Sequence, residues 1–284
     1  MKIPKYWGRG AAQSVDARGQ PASFSCWHGS EQSEADARQK AERRAGEILQ
    51  KWLAGAELNR YLYGSRPLRE EIVQAVTHRG KGELALVTRN GYGALVLNAA
   101  NAMFLDVDFG PEDLAGWFSG LWDKLRGVKK TGPEEKGLAE VQRWAERHPD
   151  LGVRVYRTRA GLRCLITNQP FDPTRRETEA LMQELGCDPL YVKLCREQEC
   201  FRARLTPKPW RLRLDRPPAR YPFASREHEQ KYRRWEQDYQ QVSARFAVCR
   251  TVAHLGSSRV HPEIEPILSL HDRFCCTGEN LALA

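Results

Sequence analysis

The chain has 284 residues, 41% of them hydrophobic, and 45 Lys and Arg against 36 Asp and Glu give it a net charge of +9. Such proportions exclude a disordered chain and suit one large domain or two modest ones, with a basic excess that favours polyanionic partners because neutralised phosphates release counterions. No stretch approaches the apolar length of a membrane span, and Met1-Lys-Ile-Pro-Lys-Tyr-Trp7 lacks a signal-peptide core, so a soluble, cytoplasmic protein with no membrane partner is expected.

In chain order, the first 30 residues are irregular and rich in aromatics and glycine, with room for a short hairpin. From Ser33 to about Leu58, Ala41, Ala45, Ile48, Leu49, Trp52 and Leu53 recur on one face of a predicted helix. A second helix is predicted over Pro67 to Val76, opened by the proline and Glu70-Glu71. Leu84–Thr88 and Ala94–Asn98 read as strands, and the Asn90-Gly91 step between them is a strong hairpin signal. An apolar strand, Met103 to Phe109, follows, then an amphipathic helix from Pro111 to about Arg126 and another from Pro133 to near His148. Val153–Thr158 and Leu162–Thr167 flank the turn Arg159-Ala-Gly161 as a second hairpin. A helix is expected from Thr174 to Leu185, stopped by Gly186, and Leu190–Cys195 is ambiguous between helix and strand. Phe201–Leu205 alternates like a strand. A long helix after Pro222 carries Tyr232, Trp235, Tyr239, Val242 and Phe246 as a core stripe, and a short one runs from Pro262 to His271. The order predicts an α+β protein whose mixed or antiparallel central sheet is backed by helices. The expected partition is a mostly helical region at 1–80, an α+β core at 81–215 and a helical region at 216–284.

The eight cysteines, at 26, 164, 187, 195, 200, 249, 275 and 276, form no CxxC pair. Cys249 to His254, with His261 beyond, offers ligand types, but the spacing matches no common structural zinc pattern, so buried free thiols are expected.

The most informative run is Ala102-Met-Phe-Leu-Asp-Val-Asp-Phe-Gly110. Residues i and i+2 of a strand share a face, so Asp106 and Asp108 should emerge side by side, centrally in the sheet. Two close carboxylates seldom both stay ionised without a counter-charge, and Mg²⁺ or Mn²⁺ is the expected one. Three basic or polar stretches could converge on the pair. They are Arg157-Thr158-Arg159-Ala160-Gly161-Leu162-Arg163, then Arg202 and Arg204 with Lys208 and Arg211, and finally Ser257-Ser-Arg-Val-His261. Guanidinium forks and the backbone donors of a Gly turn suit a triphosphate.

With a strand ending in hydrophobic-Asp-x-Asp (Phe104–Asp108) and a hairpin of the type Thr-x-Ala-Gly-x-(His), the region from about 84 to 210 resembles the archaeo-eukaryotic primase superfamily. The resemblance implies an RRM-like catalytic fold, with Asp106 and Asp108 binding divalent metals and with Thr158, Ala160 and Gly161 in the nucleotide-contacting hairpin. Arg163 stands where that family places a histidine. The family's third acidic ligand has only Asp188, Asp215 and Asp272 as loose candidates. The expectation is a metal-dependent nucleotidyltransferase acting on nucleoside triphosphates and DNA or RNA. Arg157, Thr158, Arg159, Gly161, Arg163, Arg202, Arg204 and Lys208 would contact phosphates. The alternative is a non-catalytic nucleic-acid-binding protein derived from such a fold. A DxD phosphatase would want Thr where Gly110 stands.

Overall fold

A computed structural model describes residues 1–16, 18–56, 67–78, 80, 82–109, 132–276, 278 and 280–284. The helix expected from Pro111 to Arg126 lies outside the described residues. The chain divides into two compact units, Lys2–Glu71 and Ile72–Ala284, the second also including Met1.

In the first unit, β1 (Tyr6–Val15) and β2 (Pro21–Ser30) form an antiparallel hairpin that packs on helix α1 (Glu34–Leu53). Asp16 closes the turn, its Oδ1 accepting from the Arg18 and Gln20 amides, both at 2.8 Å. Ser33 caps α1 by accepting from the Asp36 amide at 3.1 Å. The helix lies against bare backbone: Ala37, Ala41 and Ala45 are fully buried, and a methyl at Gly8 or Gly10 would run into the backbone near Arg38 or Glu42. The expected mostly helical region is therefore a hairpin on a helix. Strand alternation was masked because small residues, rather than large apolar ones, face the helix.

The second unit carries two four-stranded sheets, and its fold is mixed α+β with antiparallel pairing. One has the order β3 (Glu71–His78), β4 (Gly82–Arg89), β5 (Leu95–Ala99), β9 (Phe201–Arg204). The helix expected at Pro67 to Val76 is instead β3. Ile72, Val73, Val76 and Thr77 are β-branched, and that density outweighs the Pro and Glu signals of a helix start. The Asn-Gly turn forms as expected: Asn90 Oδ1 accepts from Tyr92 and Ala94, and Gly93 adopts φ +89°.

The other sheet has the order β11 (Cys249–Gly256), β7 (Gly152–Thr158), β8 (Gly161–Ile166), β6 (Phe104–Asp108), antiparallel throughout. The aspartate strand is thus the edge of its hydrogen-bonded sheet, not its centre. β9 lies beside that edge, and the Tyr191 hydroxyl sits between the two, 3.1 Å from both the Phe104 and the Arg202 carbonyl, with one proton to donate to either. Helix α2 (Pro133–Arg147) covers one sheet face, where Gly137 admits Phe109 and Leu162. Helices α3 (Arg176–Glu184) and α4 (Pro189–Gln198) resolve the ambiguous Leu190–Cys195 stretch as helix.

After a 3₁₀ turn at Pro209–Leu212 come α5 (Arg226–Ser243) and α6 (Glu265–Cys275), and a short parallel pair joins β10 (Phe246–Ala247) to β12 (Ala282–Leu283). The α5 stripe is packing, with Trp235 stacked on Tyr239 at 5.1 Å and 8°. The 216–284 region is not a separate helical domain, since β11 completes the sheet of β7. The burial pattern of β11 explains why it escaped notice: most of its residues after Cys249 are exposed or half-buried, leaving no apolar run to read.

Candidate metal and phosphate site

Strand β6 sets the geometry. Leu105 and Val107 point into the core, whereas Phe104, Asp106 and Asp108 share the opposite face, where Asp106 is partly exposed and Asp108 exposed. The two carboxylates therefore emerge side by side. Register places Asp106 opposite Arg163 and Asp108 opposite Gly161. A side chain at Gly161 would collide with the Val107 carbonyl and the Asp108 backbone, so glycine is what lets the two strands close at this end.

Arg163 is only 3% exposed. Its Nε donates to Asp106 Oδ1 at 2.9 Å and its Nη2 reaches Oδ2 at 3.5 Å, while Nη1 donates to the Arg204 carbonyl at 3.0 Å. Although burial works against its charge, the Asp106 carboxylate more than offsets this and raises its pKa. Arg163, expected on phosphate, is thus a buried partner of the aspartate pair. Its strand position points the guanidinium across the pleat at Asp106 instead of outward.

Asp108 lacks such a partner in its register. Partial desolvation of its carboxyl by the surrounding cleft raises its pKa first, then the charges of Asp106 and Asp188, opposed by Lys208 and Arg211. Asp188 caps α4 by accepting from the Leu190 amide at 2.8 Å, and of the three loose acidic candidates it is the one whose charge bears on Asp108. Asp272 is committed elsewhere, accepting from the Tyr156 hydroxyl at 2.6 Å and pairing with Arg154 at 3.2 Å. Asp215 offers its carbonyl to Trp235 Nε1 at 3.0 Å.

Beside the carboxylates, cations crowd one another. Arg204 is lowered by burial and by Arg163, and its buried Nε has no hydrogen-bond partner among the described residues. Lys208 is lowered by burial, then by Arg204 and Arg211. Arg211 is pushed down to about 10 by burial, then by Arg204 and Arg159. Two aromatic rings border this cluster. Tyr92 meets Trp210 edge-on at 5.1 Å, Trp210 is half-exposed, and Lys208 Nζ sits 5.5 Å from the Trp210 ring.

The fold thus gathers Asp106, Asp108, Arg159, Arg163, Arg204 and Lys208. It does not bring Arg157 to them. Arg157 pairs with Leu162 in register, so it lies on the α2 face, bonded to Glu134 at 3.1 Å and 4.6 Å from the Phe109 ring centre. Arg202 reaches the Gln198 side chain at 3.3 Å. Thr158 donates to the Gly161 carbonyl at 3.1 Å, so Thr158 and Gly161 shape the turn. The Ser257–His261 stretch lies at the far end of β8, where the His261 amide donates to the Thr167 carbonyl at 2.8 Å. Sequence reasoning omitted Tyr92 and Trp210 from the site. Their only signal was an aromatic beside each of two turns, Asn90-Gly91 and Pro207-Lys-Pro209.

No protein-family model, curated protein or solved structure matches the chain. No helix among the described residues is long and apolar enough to cross a membrane.

Proposed function

We propose that the chain is a metal-dependent nucleotidyltransferase of the primase-polymerase kind, acting on nucleoside triphosphates and nucleic acid. The observation that carries this reading is a pair of complementary imbalances at one place. Partial desolvation and then the Asp106 and Asp188 charges favour the protonated form of Asp108, while burial and then neighbouring guanidinium charges (Arg163 on Arg204, Arg204 and Arg211 on Lys208, Arg204 and Arg159 on Arg211) disfavour the cationic forms of Arg204, Lys208 and Arg211. A divalent cation relieves the first and a polyphosphate the second. Asp108 and Asp106 would hold Mg²⁺ or Mn²⁺, with Asp188 as an acidic neighbour. Bound there, the ion would neutralise phosphate charge and lower the pKa of an attacking hydroxyl. Arg204, Lys208, Arg211 and Arg159 would hold phosphates, and Tyr92 and Trp210 offer faces on which a base can stack.

Topology supports the reading. The elements run β6, α2, β7, β8, α3 with α4, β9; β7, β8 and β6 are neighbours in one sheet, and Tyr191 links β6 to β9, which pairs with β5 in the other. This chain order, with β9 beside the aspartate strand, is what supports reading the region as an RRM-like β-α-β-β-α-β unit. None of the eight cysteines is in a disulfide, in keeping with a cytoplasmic location.

One observation favours a second reading, a non-catalytic nucleic-acid-binding protein. Asp106 already has Arg163 as its counter-ion, which competes with a metal for its oxygens. Titration with a nucleoside triphosphate with and without Mn²⁺ separates the two. Nucleotidyl transfer requires metal-dependent binding, whereas the second reading gives salt-sensitive nucleic-acid binding unchanged by a chelator.

A further inference from the structure

On the sheet face that carries Asp106, the chain brings together a second group of ligand-type side chains. Cys249 of β11 and His271 and Cys275 of α6 are all buried, and their ligand atoms lie within 4.8 Å of one another. Cys276, the C-cap of α6, adds a thiol whose Sγ is 3.8 Å from Cys249 Sγ. We propose that Cys249, His271, Cys275 and Cys276 form a structural zinc site tying α6 to β11.

Local structure supplies the arrangement. His271 and Cys275 are four apart, so they share one face of α6, and Cys276 sits where the helix ends and the chain can turn back. Cys249 opens β11 opposite Thr158, which puts its side chain on the same sheet face as Tyr156 and Arg163. Zn–S bonds of about 2.3 Å at tetrahedral angles set two sulfurs about 3.8 Å apart. That is the Cys249–Cys276 separation.

The surroundings suit the metal. His271 Nδ1 lies 3.1 Å from Asp272 Oδ1, the carboxylate–imidazole contact that fixes a ligating histidine's tautomer and leaves Nε2 its lone pair. Phe104 and Tyr156 hold the ring, with centroids 5.2 and 4.7 Å away. Arg163 Nη1, 3.4 Å from Nε2, also donates to the Arg204 carbonyl, so it keeps a partner when Nε2 binds an ion. Zinc with three thiolates and a neutral imidazole carries one net negative charge. A buried cation, the Arg163 guanidinium with its Nη1 3.4 Å from His271 Nε2, lies beside that charge. Four protein ligands close the site, which makes it structural. This inference stands independently of the nucleotidyl-transfer reading.

The test is metal content and spectroscopy on the full chain. Protein purified without chelator should contain about one zinc per chain by mass spectrometry, released by a thiol-blocking mercurial. Replacing zinc with Co²⁺ should give the near-ultraviolet thiolate-to-cobalt band and the visible bands of a tetrahedral ion. Cys249→Ser and Cys276→Ser should each lose the metal, whereas Cys26→Ser, in the other unit, should keep it. Zinc at trace level in the parent together with no cobalt spectrum on reconstitution would overturn the proposal. So would retention of zinc by the Cys249→Ser/Cys276→Ser double variant, or a Cys249–Cys276 disulfide in the freshly purified protein. The cobalt spectrum uses the unaltered chain, so it decides the matter even if the serine variants fail to fold.

Discussion

Removing the Asp106 carboxylate strands a buried charge. Among the described residues, Asp106→Ala leaves the Arg163 guanidinium, 3% exposed, with the Arg204 carbonyl and the His271 ring nitrogen beside its Nη1 and no partner on its Nε. Breaking a buried ion pair by removing one partner costs about 3–5 kcal/mol. Asp106 itself is 34% exposed, so water can approach the vacated space, and the lower end, about 3 kcal/mol, is expected. For a unit of this size each kcal/mol moves the melting temperature by about 2–4 °C, so the fall should be about 6–12 °C. Asp108→Asn, two residues along the same face, should change stability by less than about 0.5 kcal/mol. Its sign should be neutral to favourable, because burial and the Asp106 and Asp188 charges disfavour the carboxylate. Thermal melts followed by circular dichroism compare the two. Replacing both partners, as Asp106→Leu with Arg163→Met, should recover most of the loss, since the cost lies in the unpaired charge. The reasoning is refuted if Asp106→Ala melts no lower than Asp108→Asn, or if the double replacement is worse than Asp106→Ala alone.

Glu236→Ala should cost about 3–5 kcal/mol in urea unfolding, because Arg89, whose side chain is 4% exposed, loses its ion-pair partner, while Glu236→Gln should cost distinctly less. Gly161→Ala should destabilise by at least about 1–3 kcal/mol, since the methyl meets β6 backbone that no rotamer change can move; a melt unchanged from the parent would show that the strands close differently. Asp108 should give a pH signature. Its folded pKa lies above the ordinary 3.8, so the folded state binds more protons in that window and stability falls as pH rises through it, a slope that Asp108→Asn should remove from acid-range unfolding curves. Lys208→Met and Arg211→Met should each weaken single-stranded nucleic-acid binding and reduce its log–log salt slope by about 1, as read by fluorescence anisotropy.

Much of the architecture was readable wherever one residue dictates geometry. Asn90 can serve as acceptor for its own turn, and Gly161 is the residue that permits β6 and β8 to approach, so both hairpins followed from local chemistry. Period-2 alternation likewise placed Asp106 and Asp108 on one face. Failures arose where the deciding partner is far away in sequence. β3 looks helical from its proline and glutamates, and only its pairing in a sheet reveals what the β-branched run is for. β11 is hard to read because its side chains after Cys249 are exposed or half-buried, so its few apolar residues follow no alternation. Arg163 is an arginine beside a Gly turn, which reads as a phosphate ligand until register shows it opposite Asp106. Arg157, two positions beyond Val155, falls on the α2 face by the same alternation that placed the aspartates. The Cys249, His271, Cys275 and Cys276 group is assembled from β11 and α6, so no local spacing could display it.

The account rests on Asp108 and its neighbours holding a metal–triphosphate complex, and calorimetric titration of a nucleoside triphosphate in Mn²⁺ tests this most directly. The parent should bind with Mn²⁺ and much more weakly with a chelator. Asp108→Asn, still folded by circular dichroism, should lose at least about tenfold in affinity, about 1.4 kcal/mol. Equal affinity in parent and variant, or binding indifferent to Mn²⁺ in both, would contradict the account.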